Sequence, residues 1–222
     1  MRLKQGLLIA YLSLIPISSE ADRSQPVHSE RGSGSLYLRS RHEGERDLMA
    51  LARTHCEEDL WFYASGKWYD AGMDEGFVSV RQDDSIIERV LRETTGPIFE
   101  YHTHNHDWCP DIEVDGISFE AISVTDVISH VALSDYVNRR GRRLFSRVAD
   151  EHGIWSYTVN RALRHRLLED INNDDVLRMR NDLAEHELEL LNMPVSMAAS
   201  KLQRYMNIQR RNGVLVSYRR LR

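Results

Sequence analysis

The segment IFEYHTH at residues 98–104 decides the fold that we expect for this chain. The Gly96-Pro97 pair marks a turn before it, and its apolar and aromatic residues are typical of a strand. Because residues i and i+2 of a strand point to the same face, His102 and His104 are expected to project together where the strand ends. The segment therefore predicts a strand that carries two imidazoles at its carboxyl end.

A second polar group follows in the sequence, SVTD at residues 123–126. A helix is predicted over residues 126–138, so the Ser123 hydroxyl is expected either to cap that helix or to donate a hydrogen bond to an oxyanion. Two neutral imidazoles suit zinc, which in catalytic sites takes roughly three protein ligands and leaves one position for water. Asp126 is the natural third ligand, so the predicted site is Zn²⁺ held by His102, His104 and Asp126.

The order strand, H-x-H, loop, S-x-x-D and helix resembles the JAB/MPN metalloproteases. Their JAMM motif combines an upstream glutamate with H-[S/T]-H-P and S-x-x-D, and the resemblance covers residues from about 45 to about 160. It implies an α/β fold with a curved mixed β-sheet flanked by helices. It also implies that His102, His104 and Asp126 bind zinc and that Ser123 stabilises the tetrahedral intermediate. Asn105 stands where the family has proline, and the loop at 105–122 is longer than in common members.

The resemblance calls for a glutamate at the start of an upstream strand, where it polarises the water. A strand is predicted at about 59–64, and strand alternation puts Glu58 on the same face as Leu60. We therefore prefer Glu58 as the catalytic carboxylate. Glu57 is an alternative, and so is Glu100, which shares a face with His102 and could also support the metal ligands from behind.

This combination of groups suits hydrolysis by an activated water. Zinc lowers the pKa of water to about 7, and a nearby carboxylate transfers the proton to the leaving amine. The resemblance implies a peptide or isopeptide bond in a peptide or protein substrate, whereas the spacing alone implies only metal-assisted hydrolysis. Two other hypotheses stay open: a non-catalytic interaction module of the same fold, and a metal-dependent hydrolase of another bond, such as a phosphodiester.

The amino terminus is typical of a secretory signal peptide, at residues 1–21. Arg2 and Lys4 precede an apolar run at 6–17, and Ser19-Glu20-Ala21 resembles a cleavage site. The run is too short for a stable membrane span, and a buried or interfacial helix is the alternative interpretation. We therefore expect an exported protein, either periplasmic or secreted.

The overall composition is that of an ordinary globular protein. The chain has 222 residues, of which 41% are hydrophobic and 28% charged, and its net charge of -5 gives no reason to expect a nucleic-acid partner. Export would place Cys56 and Cys109 in an oxidising compartment, where either a disulfide or two independent thiols remain open.

The remaining sequence divides into three regions by composition and hydrophobic pattern. Residues 22–44, rich in Ser, Gly, Arg and Glu, are predicted to be a flexible linker to the metallohydrolase domain at 45–160. Residues 161–222 are predicted to be a helical C-terminal extension that either packs on the sheet or binds a partner. Within the domain, we also expect a strand at 76–81, a helix at 84–94, and strands at Leu144–Ala149 and Gly153–Val159.

Overall fold

The chain folds around one mixed β-sheet with helices on both of its faces. The computed structural model describes residues 40–54, 58–74, 85–104, 119, 121–169, 178–179, 181–182, 190 and 193–221. Within these residues the structure has six strands and five α-helices, which confirms the predicted α/β class.

The elements follow one another in mixed order along the chain. The strands are β1 (Glu58–Ala64), β2 (Lys67–Asp74), β3 (Ile98–Thr103), β4 (Leu144–Ala149), β5 (Gly153–Val159) and β6 (Val214–Arg220). The helices are α1 (Arg41–Thr54), α2 (Ser85–Glu93), α3 (Val124–Asn138), α4 (Arg161–Glu169) and α5 (Ala198–Arg211), the last preceded by a short 3₁₀ turn at Val195–Met197.

The sheet has the strand order β2-β1-β3-β4-β5-β6. Strands β3 and β4 pair in parallel and all the other neighbours pair antiparallel. A parallel pair needs a crossover connection, which here includes α3. The carboxyl ends of β3 and β4 therefore lie at the same edge of the sheet, where the His104 N–H donates to the Ala149 carbonyl at 2.9 Å.

One face of the sheet packs against α2, α3, α4 and α5. Near the start of β3, Ile98 packs with Val90 of α2 and Val137 of α3. Further along the same face, Trp155 packs with Val131 of α3 and Tyr205 of α5. Helix α3 thus lies across the middle of this face, with its first turn close to the edge that carries His104.

Helix α1 covers part of the opposite face of the sheet. Leu48 belongs to a buried cluster with Trp68 and Tyr101 of the strands. The helix approaches closely at Gly44, where an added Cβ would lie 2.2 Å from the Trp68 ring, so a larger residue there would push α1 away. Glu45, only 1% exposed, accepts a 2.6 Å hydrogen bond from the Tyr101 hydroxyl and so joins α1 to β3.

Strand β2 was not predicted from the sequence. A tight turn at Ser65-Gly66, with φ values of 49° and 81°, reverses the chain directly after β1. Two successive positive φ values are typical of the turns that join hairpin strands, so the Ser-Gly pair was the available signal. Gly72 made a strand at these positions harder to predict, because glycine is depleted in strands. The strand predicted at 76–81 lies outside the described residues.

The two ends of the chain also differ from the predictions. Helix α1 begins at Arg41, so residues 41–44 are helical although they were assigned to the linker. In the segment predicted to be helical, Val214–Arg220 is a strand that pairs with β5. Residues 1–39, Cys56 and Cys109 lie outside the described residues. None of the helices in the described ranges is long and apolar enough to cross a membrane.

Candidate metal centre

The two histidines and the aspartate predicted as ligands lie together at the edge of the sheet. His102 is in β3, His104 follows that strand, and Asp126 is in the first turn of α3. The Nε2 atoms of the two histidines are 3.2 Å apart. Asp126 places Oδ1 at 3.1 Å from the Nε2 of His102 and Oδ2 at 3.3 Å from the Nε2 of His104.

These separations suit a single metal ion. Ligand atoms at about 2.1 Å from a tetrahedral zinc lie roughly 3.4 Å from one another. The Nε2–Nε2 distance of 3.2 Å, and the distances of 3.1 and 3.3 Å from the two Nε2 atoms to Oδ1 and Oδ2 of Asp126, are close to that value. Among the described residues, His102, His104 and Asp126 are the one group of His, Cys, Asp and Glu side chains close enough to hold a metal ion. Two imidazoles and one carboxylate are a donor set that zinc accepts.

Ser123 fixes the position of Asp126 through a capping box. Its hydroxyl accepts a hydrogen bond from the Asp126 N–H at 3.2 Å, and its own N–H donates to Asp126 Oδ2 at 2.7 Å. This reciprocal pair satisfies two N–H groups at the start of α3 that have no partner within the helix. The hydroxyl proton of Ser123 is not used in the cap, so it is left for another acceptor.

The Asp126 carboxyl group is ionised in this arrangement. Burial raises its pKa, but the charges and hydrogen bonds of His104 and His102 oppose burial and hold the pKa well below its ordinary value. The side chains of Asp126, His102 and His104 are only 12, 7 and 11% exposed. A negative carboxylate beside two imidazoles, largely screened from water, favours binding of a cation.

The three candidate glutamates have different positions. Leu60 of β1 pairs with His102 of β3, so Glu58, two residues before Leu60, lies on the same face of the sheet as the histidines. Glu58 is half-buried at the start of its strand. Glu100 is buried and accepts a hydrogen bond from Ser146, and burial raises its pKa. Glu57 lies outside the described residues.

Sequence reasoning missed a buried polar group under this site. His130 was not among the predicted site residues, yet its Nδ1 lies 2.7 Å from the Ser146 hydroxyl. One signal was present: His130 is four residues after Asp126, a spacing that puts both residues on one face of a helix. Its partner Ser146 could not be found in this way, because the pairing of β3 with β4 brings it there.

Comparisons of the chain with protein-family models, with curated proteins and with solved structures find no match in any of the three.

Proposed function

We propose that this protein is a zinc-dependent hydrolase of the JAMM type, which cleaves a peptide or isopeptide bond in a peptide or protein substrate. The observation that carries the proposal is the cluster of donor atoms from His102, His104 and Asp126. The two Nε2 atoms are 3.2 Å apart, and they lie 3.1 Å and 3.3 Å from Oδ1 and Oδ2 of the Asp126 carboxylate, respectively. The Ser123 hydroxyl beside Asp126 and the placement of Glu58 on the same face support it further.

Each residue has a distinct role in the proposed reaction. A bound zinc supplies a Lewis acid and lowers the pKa of water to about 7. His102, His104 and Asp126 hold the ion, and three protein ligands leave a position open for water or substrate. Glu58 takes a proton from the attacking water and passes it to the leaving amine. Ser123 donates its remaining proton to the oxyanion that develops on the substrate carbonyl.

The first experiment measures zinc stoichiometry by elemental mass spectrometry on the full chain. The wild-type protein is expected to hold about one zinc per chain at a three-ligand catalytic site. The His102→Ala/His104→Ala double variant should hold none while keeping its circular dichroism spectrum. His165→Ala is the matched control, because His165 is in α4 and its side chain is 71% exposed.

Hydrolysis is then measured on peptide, isopeptide and phosphodiester substrates with the zinc-loaded protein. Cleavage of amide bonds that is lost in the double variant supports the proposal. Cleavage of phosphodiesters alone would show a hydrolase of another bond. A wild-type protein that binds no zinc after the metal is supplied would overturn the proposal and favour the interaction module.

A further inference from the structure

A row of buried polar side chains crosses the sheet next to the candidate metal site formed by His102, His104 and Asp126. Glu100 of β3 pairs with Ser146 of β4, and Ser146 pairs with Tyr157 of β5. His130 of α3 meets this row from the helix layer. All four side chains are buried, with at most 6% of each residue exposed. Such a polar group inside an apolar core is costly unless its hydrogen bonds are made, so its contacts call for an explanation.

The contacts form a continuous link from helix to sheet. The Ser146 hydroxyl donates to Glu100 Oε2, which uses its single proton. In the 2.7 Å contact with Ser146, His130 is therefore the donor, and its Nδ1 carries the hydrogen. Burial and the charge of Arg164 lower the pKa of His130 to about 4, so the imidazole is neutral near pH 7. The link is thus His130 to Ser146 to Glu100.

Both ends of this link lie close in the chain to metal ligands. His130 follows Asp126 by four residues, about one turn of α3, and Glu100 precedes His102 by two residues on the same face of β3. Tyr157 adds a second tie, because its hydroxyl donates to the Asp126 carbonyl at 3.3 Å. The network therefore connects the helix that supplies one ligand to the strand that supplies the others.

Apolar contacts alone do not fix this spacing. Val127 and Val131 of α3 pack against Val148 and neighbouring side chains, and such contacts are non-directional. Hydrogen bonds have narrow ranges of distance and angle. Functional sites need their ligands held to within about 0.5 Å, which a directional link between the two elements can supply.

We propose that His130 and Ser146 are positioning residues, which hold Asp126 at the correct distance from His102 and so set the metal affinity of the site. The inference rests on the metal site of the proposed function. In this inference, His130 and Ser146 contact neither the metal nor the substrate, and their role is to hold α3 at a fixed position relative to β3 and β4.

The test compares zinc affinities of full-chain variants by competition with a chromophoric chelator. Ser146→Ala and His130→Phe are expected to bind zinc about tenfold or more weakly than the wild type, the usual effect of removing residues that orient metal ligands. The double variant should bind about as weakly as either single variant, because both remove the same link.

Ser134→Ala is the matched control, since it removes a buried hydroxyl from the same helix. The Ser134 hydroxyl donates to Val131 within α3 and so does not join the helix to the sheet. Its zinc affinity is expected to stay within about twofold of the wild type, because Ser134 shares no partner with the link between His130 and Ser146. Urea denaturation of the metal-free proteins separates a loss of affinity from a general loss of stability.

The outcomes are distinguishable. Wild-type zinc affinity in Ser146→Ala overturns the inference, and so does an equal loss in Ser134→Ala, which would show a general packing effect. If His130→Phe does not fold, Ser146→Ala still decides. If the wild-type protein binds no zinc, both the proposed function and this inference are overturned. If the wild type binds zinc and the variants bind it equally well, the inference alone is overturned.

Discussion

The hydroxyl of Tyr205 donates a 2.6 Å hydrogen bond to the carbonyl oxygen of Ile122, 83 residues earlier in the chain. Gln209, one turn further along α5, also directs its Nε2 at that carbonyl, at 3.4 Å. Ile122 directly precedes Ser123, the cap of α3. The C-terminal helix therefore holds the segment that places Ser123 and Asp126 beside the histidines.

Tyr205→Phe should lower the free energy of unfolding by about 1–3 kcal/mol. It removes a buried donor from the Ile122 carbonyl and also a partner of Gln209, whose Nε2 lies 2.5 Å from the Tyr205 hydroxyl. Urea denaturation measures the loss. Gln203→Ala on the exposed side of α5 is the control and should change stability by less than about 0.5 kcal/mol. Equal stability of the two variants would contradict the assigned role of Tyr205.

Glu58→Gln tests the proposed proton transfer. The amide keeps the shape of the side chain but cannot take a proton, so amide hydrolysis should fall by about 10²–10⁴-fold while zinc affinity is unchanged. Rates are compared with those of Glu57→Gln under zinc saturation. Normal cleavage by Glu58→Gln, with a loss in Glu57→Gln, would move the role to the neighbouring residue.

Substitutions of Ser123 separate capping from catalysis. Ser123→Ala should lose about 1 kcal/mol of stability, because the Asp126 N–H loses its side-chain acceptor. Ser123→Asn keeps a capping oxygen and should keep most of that stability. If the hydroxyl also stabilises the oxyanion, Ser123→Ala should slow amide hydrolysis by about 10²–10³-fold. If the rate of amide hydrolysis in Ser123→Ala and Ser123→Asn falls only as far as their stability does, Ser123 acts as a helix cap and not in catalysis.

Glu45→Ala should be among the most destabilising substitutions in this fold, at about 3–5 kcal/mol. The buried carboxylate accepts from Tyr101 and forms ion pairs with Arg147 at 2.5 Å and with Arg219, so its removal leaves the partly buried Arg147 without this counter-charge. Thermal or urea unfolding measures the loss. Glu43→Ala is a comparison within α1: Glu43 is exposed and its carboxylate accepts from Ser40 at the start of the helix, so its loss is expected to cost only about 1 kcal/mol. Similar losses of stability in Glu45→Ala and Glu43→Ala would contradict the claim that the buried ion pairs of Glu45 stabilise the fold.

His130 should make stability depend on pH in a specific direction. The unfolded chain takes up a proton on this residue near pH 6.5, whereas the folded protein does so only near pH 4. The contribution of neutral His130 to the free energy of unfolding is therefore fully present above about pH 6.5. As the pH falls towards 4, the free energy of unfolding decreases by about 3 kcal/mol because of this residue. The difference in free energy of unfolding between the wild type and His130→Phe, measured by urea denaturation from pH 4 to 7, should change by that amount. Parallel pH profiles would show that this residue does not titrate as described.

The sequence was sufficient to predict which side chains of the candidate metal site each element presents, because these features are local; the expectation that α3 lies beside β3 came from the resemblance. Alternation along β3 puts His102 and His104 on one face, and the capping signal of Ser123 places Asp126 in the first turn of α3. Strand alternation also put Glu58 on the face of Leu60. Each of these inferences needs only the period of one element and the residue types within it.

Other features depended on pairing between distant segments. Strand β6 was missed because Val214 and Val216 form only a short apolar alternation before a basic end, and its partner β5 decides its conformation. The meeting of His130, Ser146 and Glu100 follows from the parallel register of β3 and β4, which joins residues 46 positions apart. The sequence by itself thus determined which side chains each element presents, through its local periodicity. Only the tertiary structure decided which elements lie side by side, because strand register and helix placement depend on long-range packing and hydrogen bonding.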